Sequence, residues 1–307
     1  MSPKTGSRLV APRTTTQRDV VRAPAGTEAR RLLRRPLLPI SIPASALLGA
    51  EVLRSSNLDG DWNGAEYSSG PVVMFPLILT IALMVAEAFH RERHPVGIEA
   101  PTESSTRAAG SLLGALVLVA IVGLMTVGVA GYVAGVGGLD LGDEPGRTLH
   151  ARFSVGELLQ HVALAVLAIA TGAAAGRRFA SRVTAGLVLF AGWFPPMFVY
   201  WMFRAPAIVP FSIVQVQPVN VRVAHENTDP LTLPAEWLLS SPGEFRDYWG
   251  RQFVSSALAG WHDLWLLGLA CLFLSLVFTG RWRRRLLAVG AVLAVAGISA
   301  QYAVIPR

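Results

Sequence analysis

A single cysteine, Cys271, excludes an intrachain disulfide and any metal cluster built on thiolates; lying within an apolar run, it reads as a small buried hydrophobe. A single lysine, Lys4, follows Pro3 rather than a glycine-rich turn. The chain therefore has no Walker-type phosphate loop and is not expected to hydrolyse ATP by itself. Charge is scarce as well, at 15% of 307 residues, against about 25% in ordinary soluble domains. What replaces it is hydrophobic: 52% of residues are apolar and the mean hydropathy is +0.46, which places the chain in the membrane class. The net charge of +7 does not indicate nucleic-acid binding, because the arginines sit in short clusters flanking apolar runs and not along a polar face with interleaved aromatics.

Residues 1–26 carry Pro3, Pro12 and Pro24 with no apolar period and read as a disordered basic tail. From Thr27 to Arg35, leucines 32 and 33 among four arginines predict a short amphipathic helix in the headgroup region. Arg30-Arg31 and Ala44-Ser45-Ala46 imitate an export signal, but Pro36, Pro39 and Pro43 break the apolar stretch between them. Seven apolar segments follow, at 36–53, 71–89, 110–136, 155–176, 183–203, 260–279 and 286–304, against the ~20 residues a helix needs to cross the hydrocarbon core. Together they predict an all-α polytopic membrane domain over 27–304 with six to seven transmembrane helices. The uncertain member is the first, with its prolines and Glu51, which reads either as a span or as a re-entrant segment.

Arginine distribution orients these spans. With the N terminus inside, the inner segments hold 19 of the 27 basic residues: everything before Pro36, then Arg91, Arg93 and Arg107, then Arg177, Arg178 and Arg182, then Arg281 and Arg283 to Arg285. Seven spans put the C terminus outside. Gly110-Gly114, Gly131-Gly135 and Gly172-Gly176 are small-xxx-small pairs that allow close helix approach. The outer loop 204–259 shows alternation over 214–223, which predicts a short strand pair or edge strand. Ser241-Pro242-Gly243-Glu244 has the order of a capping box, and Phe245, Trp249 and Phe253 recur every four residues, predicting an amphipathic surface helix. Trp261 and Trp265 sit where an aromatic belt would mark the following span.

Few residues suggest chemistry. Glu157 and His161, four apart, could bind a metal or relay a proton with His150 or His262 as third partner, but no HExxH is present. Glu87 has Arg91 four residues on, so a local ion pair accounts for it. Ser154 starts a span and reads as a cap. Catalytic, cofactor-binding and metal residues are accordingly not assigned.

The order of parts resembles the permease subunits of type 2 ABC transporters. The likeness rests on Glu28 to Arg34 before the first span, the charged hairpin 90–110 after the second, Gly172 to Arg178 ending the fourth, and the run Trp261 to Leu269 opening the sixth. In that family the hairpin docks on a separate ATP-binding subunit, and the permease pairs with a second copy or a paralogue in the plasma membrane. By this resemblance Arg93, Gly97, Glu99, Glu103 and Arg107 occupy the coupling positions, ATP is bound by the partner subunit, and small outer loops suggest export. The chain departs from the family pattern at Ala100-Pro101, which interrupts the acidic helix of the hairpin. Two further readings remain open: an ion-coupled carrier or membrane enzyme using Glu157, His161 or Glu87, and a non-transporting scaffold with a binding outer loop.

Overall fold

The computed structural model describes residues 17–55, 70–93, 104–138, 152–202, 205–224 and 248–306. Within them the regular structure is helical apart from one short strand pair. The helices are α1 (Gln17–Leu33), α2 (Leu37–Ser55), α3 (Gly70–Arg93), α4 (Ser104–Gly135), α5 (Val155–Arg178), α6 (Arg182–Met202), α7 (Ser256–Ser275) and α8 (Gly280–Val304). All seven apolar segments expected from the sequence are helical. Among the described residues, five helices, α3, α4, α5, α7 and α8, are long and apolar enough to cross a bilayer. The apolar part of α2, Leu37–Val52, is shorter, and α6 carries Pro195 and Pro196 in its second half.

Burial confirms what solvent these helices are built for. Only 17% of the apolar window of α8 and 28% of that of α4 is covered by the rest of the chain. Large apolar side chains such as Leu124 (73% exposed) and Val292 (67%) stand outward on them. Water would not tolerate so large an apolar surface on a monomer, whereas a bilayer is its natural solvent. The chain is an all-α multi-pass membrane protein.

α5 lies at the centre, packing on α3, α4, α6 and α7, and its glycines explain why. A Cβ on Gly172 would run into the carbonyl oxygen of Ala82, and one on Gly176 into that of Ala86. Ala, Gly and Leu on α5 thereby bring its backbone into contact with α3, whose Leu77, Ile78, Ile81 and Phe89 form the core with Leu164 and Leu167. The pair Gly131-Gly135 behaves differently: a Cβ on either would meet no other part of the chain within 4 Å among the described residues. A close seam that the glycine pairs did not announce joins α7 to α8, where Cβ atoms on Gly268, Gly290 and Gly297 would meet the facing backbone.

Two expectations are corrected by the fold. The basic tail was expected to stay disordered to about residue 26, yet helix α1 already begins at Gln17 and runs through Pro24. It docks where Gly114 of α4 leaves room for the Ala25 carbonyl, with Leu32 and Glu28 buried, so it is more than a short headgroup helix. The amphipathic helix expected from Ser241 is a strand in its second half: β2 (Tyr248–Phe253) pairs antiparallel with β1 (Val219–Ala224), Val219 opposite Phe253 and Ala224 opposite Tyr248. The strand expected around 214–223 is thus present from Val219, but its partner is distant in sequence. Residues 225–247, including the Ser241 capping box, lie outside the described residues.

Candidate functional site

Helices α2, α4, α6 and α8 begin, and α3, α5 and α7 finish, at one end of the bundle, the end that holds the arginine clusters. Here charged side chains cross-connect nearly every element. Glu28 of α1 is buried; its Oε1 accepts from Arg91 Nη2 of α3 at 3.1 Å, and Arg31 Nη1 lies 3.6 Å from its other oxygen. Arg35, in the turn between α1 and α2, donates from Nη1 to Glu87 Oε2 of α3 at 2.6 Å. Arg182, the first residue of α6, places its Nη1 3.9 Å from the other Glu87 oxygen. The expected local pair between Glu87 and Arg91 therefore gives way to cross-helix pairs, because each carboxylate finds a guanidinium on a neighbouring element at better reach than its own i+4 residue.

Arg177, one residue before the end of α5, ties the most elements. Its Nη2 reaches Glu92 Oε2 of α3 at 3.4 Å and donates to the Ser104 carbonyl of α4 at 3.1 Å. Its Nη1 donates to the Val277 carbonyl just beyond α7, and its guanidinium lies 5.6 Å from the centre of the Phe89 ring. Glu92 also accepts a hydrogen bond from the Ser111 hydroxyl of α4. A planar guanidinium suits this position, since its separate nitrogens reach partners on three elements while its face lies over the Phe89 ring. Three carboxylates, Glu28, Glu87 and Glu92, face five guanidiniums here, and Arg281, Arg283, Arg284 and Arg285 add more on the first turns of α8. The end as a whole stays positive.

This braced plate is the base of the hairpin 90–110. α3 continues to Arg93 and α4 already starts at Ser104, six residues before the predicted Gly110, so both arms of the hairpin are helical where they leave the plate. Arg93 is the last helical residue of its arm, and Arg107 lies half-buried on the first turn of the other. Gly97, Glu99 and Glu103 lie outside the described residues. Sequence reasoning missed Glu28, Glu92, Arg35 and Arg177 as a connected set. The available signal was that Glu28 and Glu92 are isolated acids within runs of arginine, at the very positions where the positive-inside rule expects only cations.

The opposite end is held by hydrogen bonds, with no ion pair among the described residues there. Ser154 caps α5 as expected: Glu157 N–H donates to Ser154 Oγ at 3.4 Å and Ser154 N–H donates to Glu157 Oε2 at 2.6 Å, a complete capping box. The other Glu157 oxygen accepts from Gln217 Nε2 at 2.6 Å, and Gln217 Oε1 accepts from the Ser255 N–H ahead of α7 at 3.1 Å. Gln160 Nε2 donates to the Val214 carbonyl at 2.9 Å. Glu157 is thereby committed to the loop 212–218, while His161 abuts Gly70 at the start of α3, so the two do not converge on one ligand. His262 is fully buried with its Nδ1 3.2 Å from Gln301 Oε1, and His150 lies outside the described residues. No group of three His, Cys, Asp or Glu side chains that could hold a metal occurs among the described residues. Cys271 is a half-buried free thiol on α7. Trp261 stays exposed as a belt residue would, whereas Trp265 is buried against His262, ring centres 5.4 Å apart.

Comparison with known protein families, with curated proteins and with solved structures finds no match to this chain.

Proposed function

We propose that the chain is the membrane-spanning permease subunit of an ATP-driven transporter of the type 2 ABC class, carrying its cargo outward and pairing with a second permease chain. Energy enters through the hairpin 90–110, docked on a separate ATP-binding subunit on the cytoplasmic face. The observation that carries this reading is the plate at the hairpin base. Glu28–Arg91, Arg35–Glu87–Arg182 and the Arg177 contacts to Glu92, Ser104 and Val277 join α1 and α3 to α7 into one unit, so a push on the hairpin reaches the whole bundle. Packed, cross-connected elements move as rigid bodies, which suits mechanical coupling from outside the polypeptide. Glu87 and Glu157, the carboxylates an ion-coupled carrier would use, are each engaged by partners that would have to be broken before they could bind an ion.

The test is reconstitution of the chain with the P-loop ATPase that co-purifies with it. Glu99→Arg and Arg107→Glu are expected to abolish most ATP-driven transport while leaving expression and assembly of the chain unchanged. Full transport by both variants, or transport by the purified chain in the absence of any ATPase, sinks the reading.

A further inference from the structure

Buried hydroxyls on membrane helices ordinarily close back on their own backbone, and most do so here. Ser41 donates to the Leu38 carbonyl at 3.2 Å, Thr126 to Val122 at 2.9 Å and Ser275 to Leu272 at 2.6 Å. Ser45, one turn after Ser41 on α2, is 0% exposed and its Oγ has no partner among the described residues. His161 of α5 shares the anomaly. Both ring nitrogens are out of contact with solvent and neither makes a hydrogen bond of good geometry, although the backbone at Gly70 and Leu158 lies alongside. Leaving a buried polar group unsatisfied costs about 1–3 kcal/mol, so two such groups at one place call for an explanation.

Both residues line the same cleft. α2 packs on α3, and α3 meets α4 only lightly, which leaves α2 and α4 facing each other across a gap floored by α3 and the first turns of α5. The gap encloses about 670 Å³, within the range of small-molecule sites of about 300–1,000 Å³. Its wall is chiefly apolar, with Met74 of α3 and Val129 of α4, and the described residues contribute no Asp, Glu, Lys or Arg to it. An ionic headgroup would therefore enter without a counter-charge, which a low-dielectric wall penalises heavily. At the rim Val129 and Tyr132 are exposed, so on a membrane helix the cleft faces the lipid phase.

We propose that the cleft between α2 and α4 binds an uncharged lipophile from the bilayer, its hydroxyl or carbonyl end held by Ser45 and His161. The hydrocarbon body lies along Met74 and Val129. The head gives Ser45 the acceptor or donor its own helix does not supply, and neutral imidazole offers one donor and one acceptor to the same group. The site lies within one chain and is independent of how the hairpin is driven.

The experiment uses the full chain in nanodiscs and a monoacylglycerol carrying a diazirine in its acyl chain. After irradiation, adducts are located by peptide mass spectrometry. Labelling is expected to concentrate on the α2 and α4 segments of the cleft. Gly128 lines the cleft and a Cβ there meets nothing within 4 Å, so Gly128→Phe fills the space without a backbone collision and labelling at the cleft should be lost. Gly123, on the same helix and equally open but outside the cleft, supplies the control: Gly123→Phe should label as the parent does. A diazirine fatty acid, ionised at its head, should label the cleft far less than the monoacylglycerol, and Ser45→Ala combined with His161→Leu should remove that preference. Equal labelling of the two phenylalanine variants overturns the site and leaves bulk lipid contact. Equal labelling by the anionic probe, or a preference that survives the double substitution, overturns the assignment of the head.

Discussion

The two ends of the bundle solve the same problem with different chemistry. At the arginine end, the termini of the helices are joined by guanidinium–carboxylate pairs that are partly exposed, such as Arg35–Glu87 and Arg177–Glu92. At the opposite end, Glu157, Gln217, Gln160 and the backbone of 212–218 make short, mostly neutral bonds. Beside them a small second core of Val209, Val216, Val219, Val221, Phe253, Leu258 and Ile305 covers the strand pair. Ion pairs gain reach at the expense of strength in water, since they act through flexible side chains and are screened by salt. Buried amide bonds are short-ranged and hold one geometry. The contrast teaches that one end is organised to connect many elements and the other to fix a few. A partner pushing on the connected end would find a plate, and the fixed end would serve as its anchor.

The largest expected effect lies in the seam that runs between the ends. Gly172→Leu forces a side chain into the Ala82 backbone and is expected to cost about 3 kcal/mol or more, seen as loss of monodisperse protein on size exclusion, because backbone cannot yield as a side chain can. Gly131→Leu, with nothing within 4 Å, should behave as the parent in the same assay. If both variants fold equally well, the bundle is not built around α5 and the two ends are not joined through it. Next comes the fixed end. Glu157→Ala removes the capping box and leaves the Gln217 amide without its acceptor, an expected loss of about 2–3 kcal/mol in thermal or denaturant stability, insensitive to salt. Smallest is the connected end. Arg177→Ala should cost about 1–2 kcal/mol, because Glu92 keeps its Ser111 bond and Arg177 is 21% exposed. The gap in stability between the parent and the variant should narrow as salt approaches 1 M, where the screening length is about 3 Å, because the Glu92 pair is screened while the carbonyl bonds remain. A salt-independent Arg177 effect, or a salt-dependent Glu157 effect, would erase the distinction between the ends.

Much of the fold was legible because its signals are local. Five of the apolar runs, the Ser154–Glu157 cap and the Gly172-Gly176 pair appear in the structure in the roles their spacing implied. The strand at Tyr248–Phe253 was read as a helix for a specific reason: a spacing of four is also a multiple of two, so Trp249 and Phe253 share a face in either conformation. What decided between them is Val219 to Ala224, whose extended edge lies far away in sequence. Likewise Glu87 is four residues from Arg91, yet its partners are Arg35 and Arg182, which only the packing of α2 and α6 beside α3 brings near.

The sequence by itself determined which long apolar segments are helices suited to a bilayer, because the transfer of a segment into lipid is a sum over its own residues and its backbone bonds close within it. Only the tertiary structure decided which carboxylate meets which arginine, which glycines carry a seam and which merely face lipid, and that Ser45 and His161 line one cleft. Those outcomes depend on atoms brought together from distant parts of the chain, and no local sum contains them.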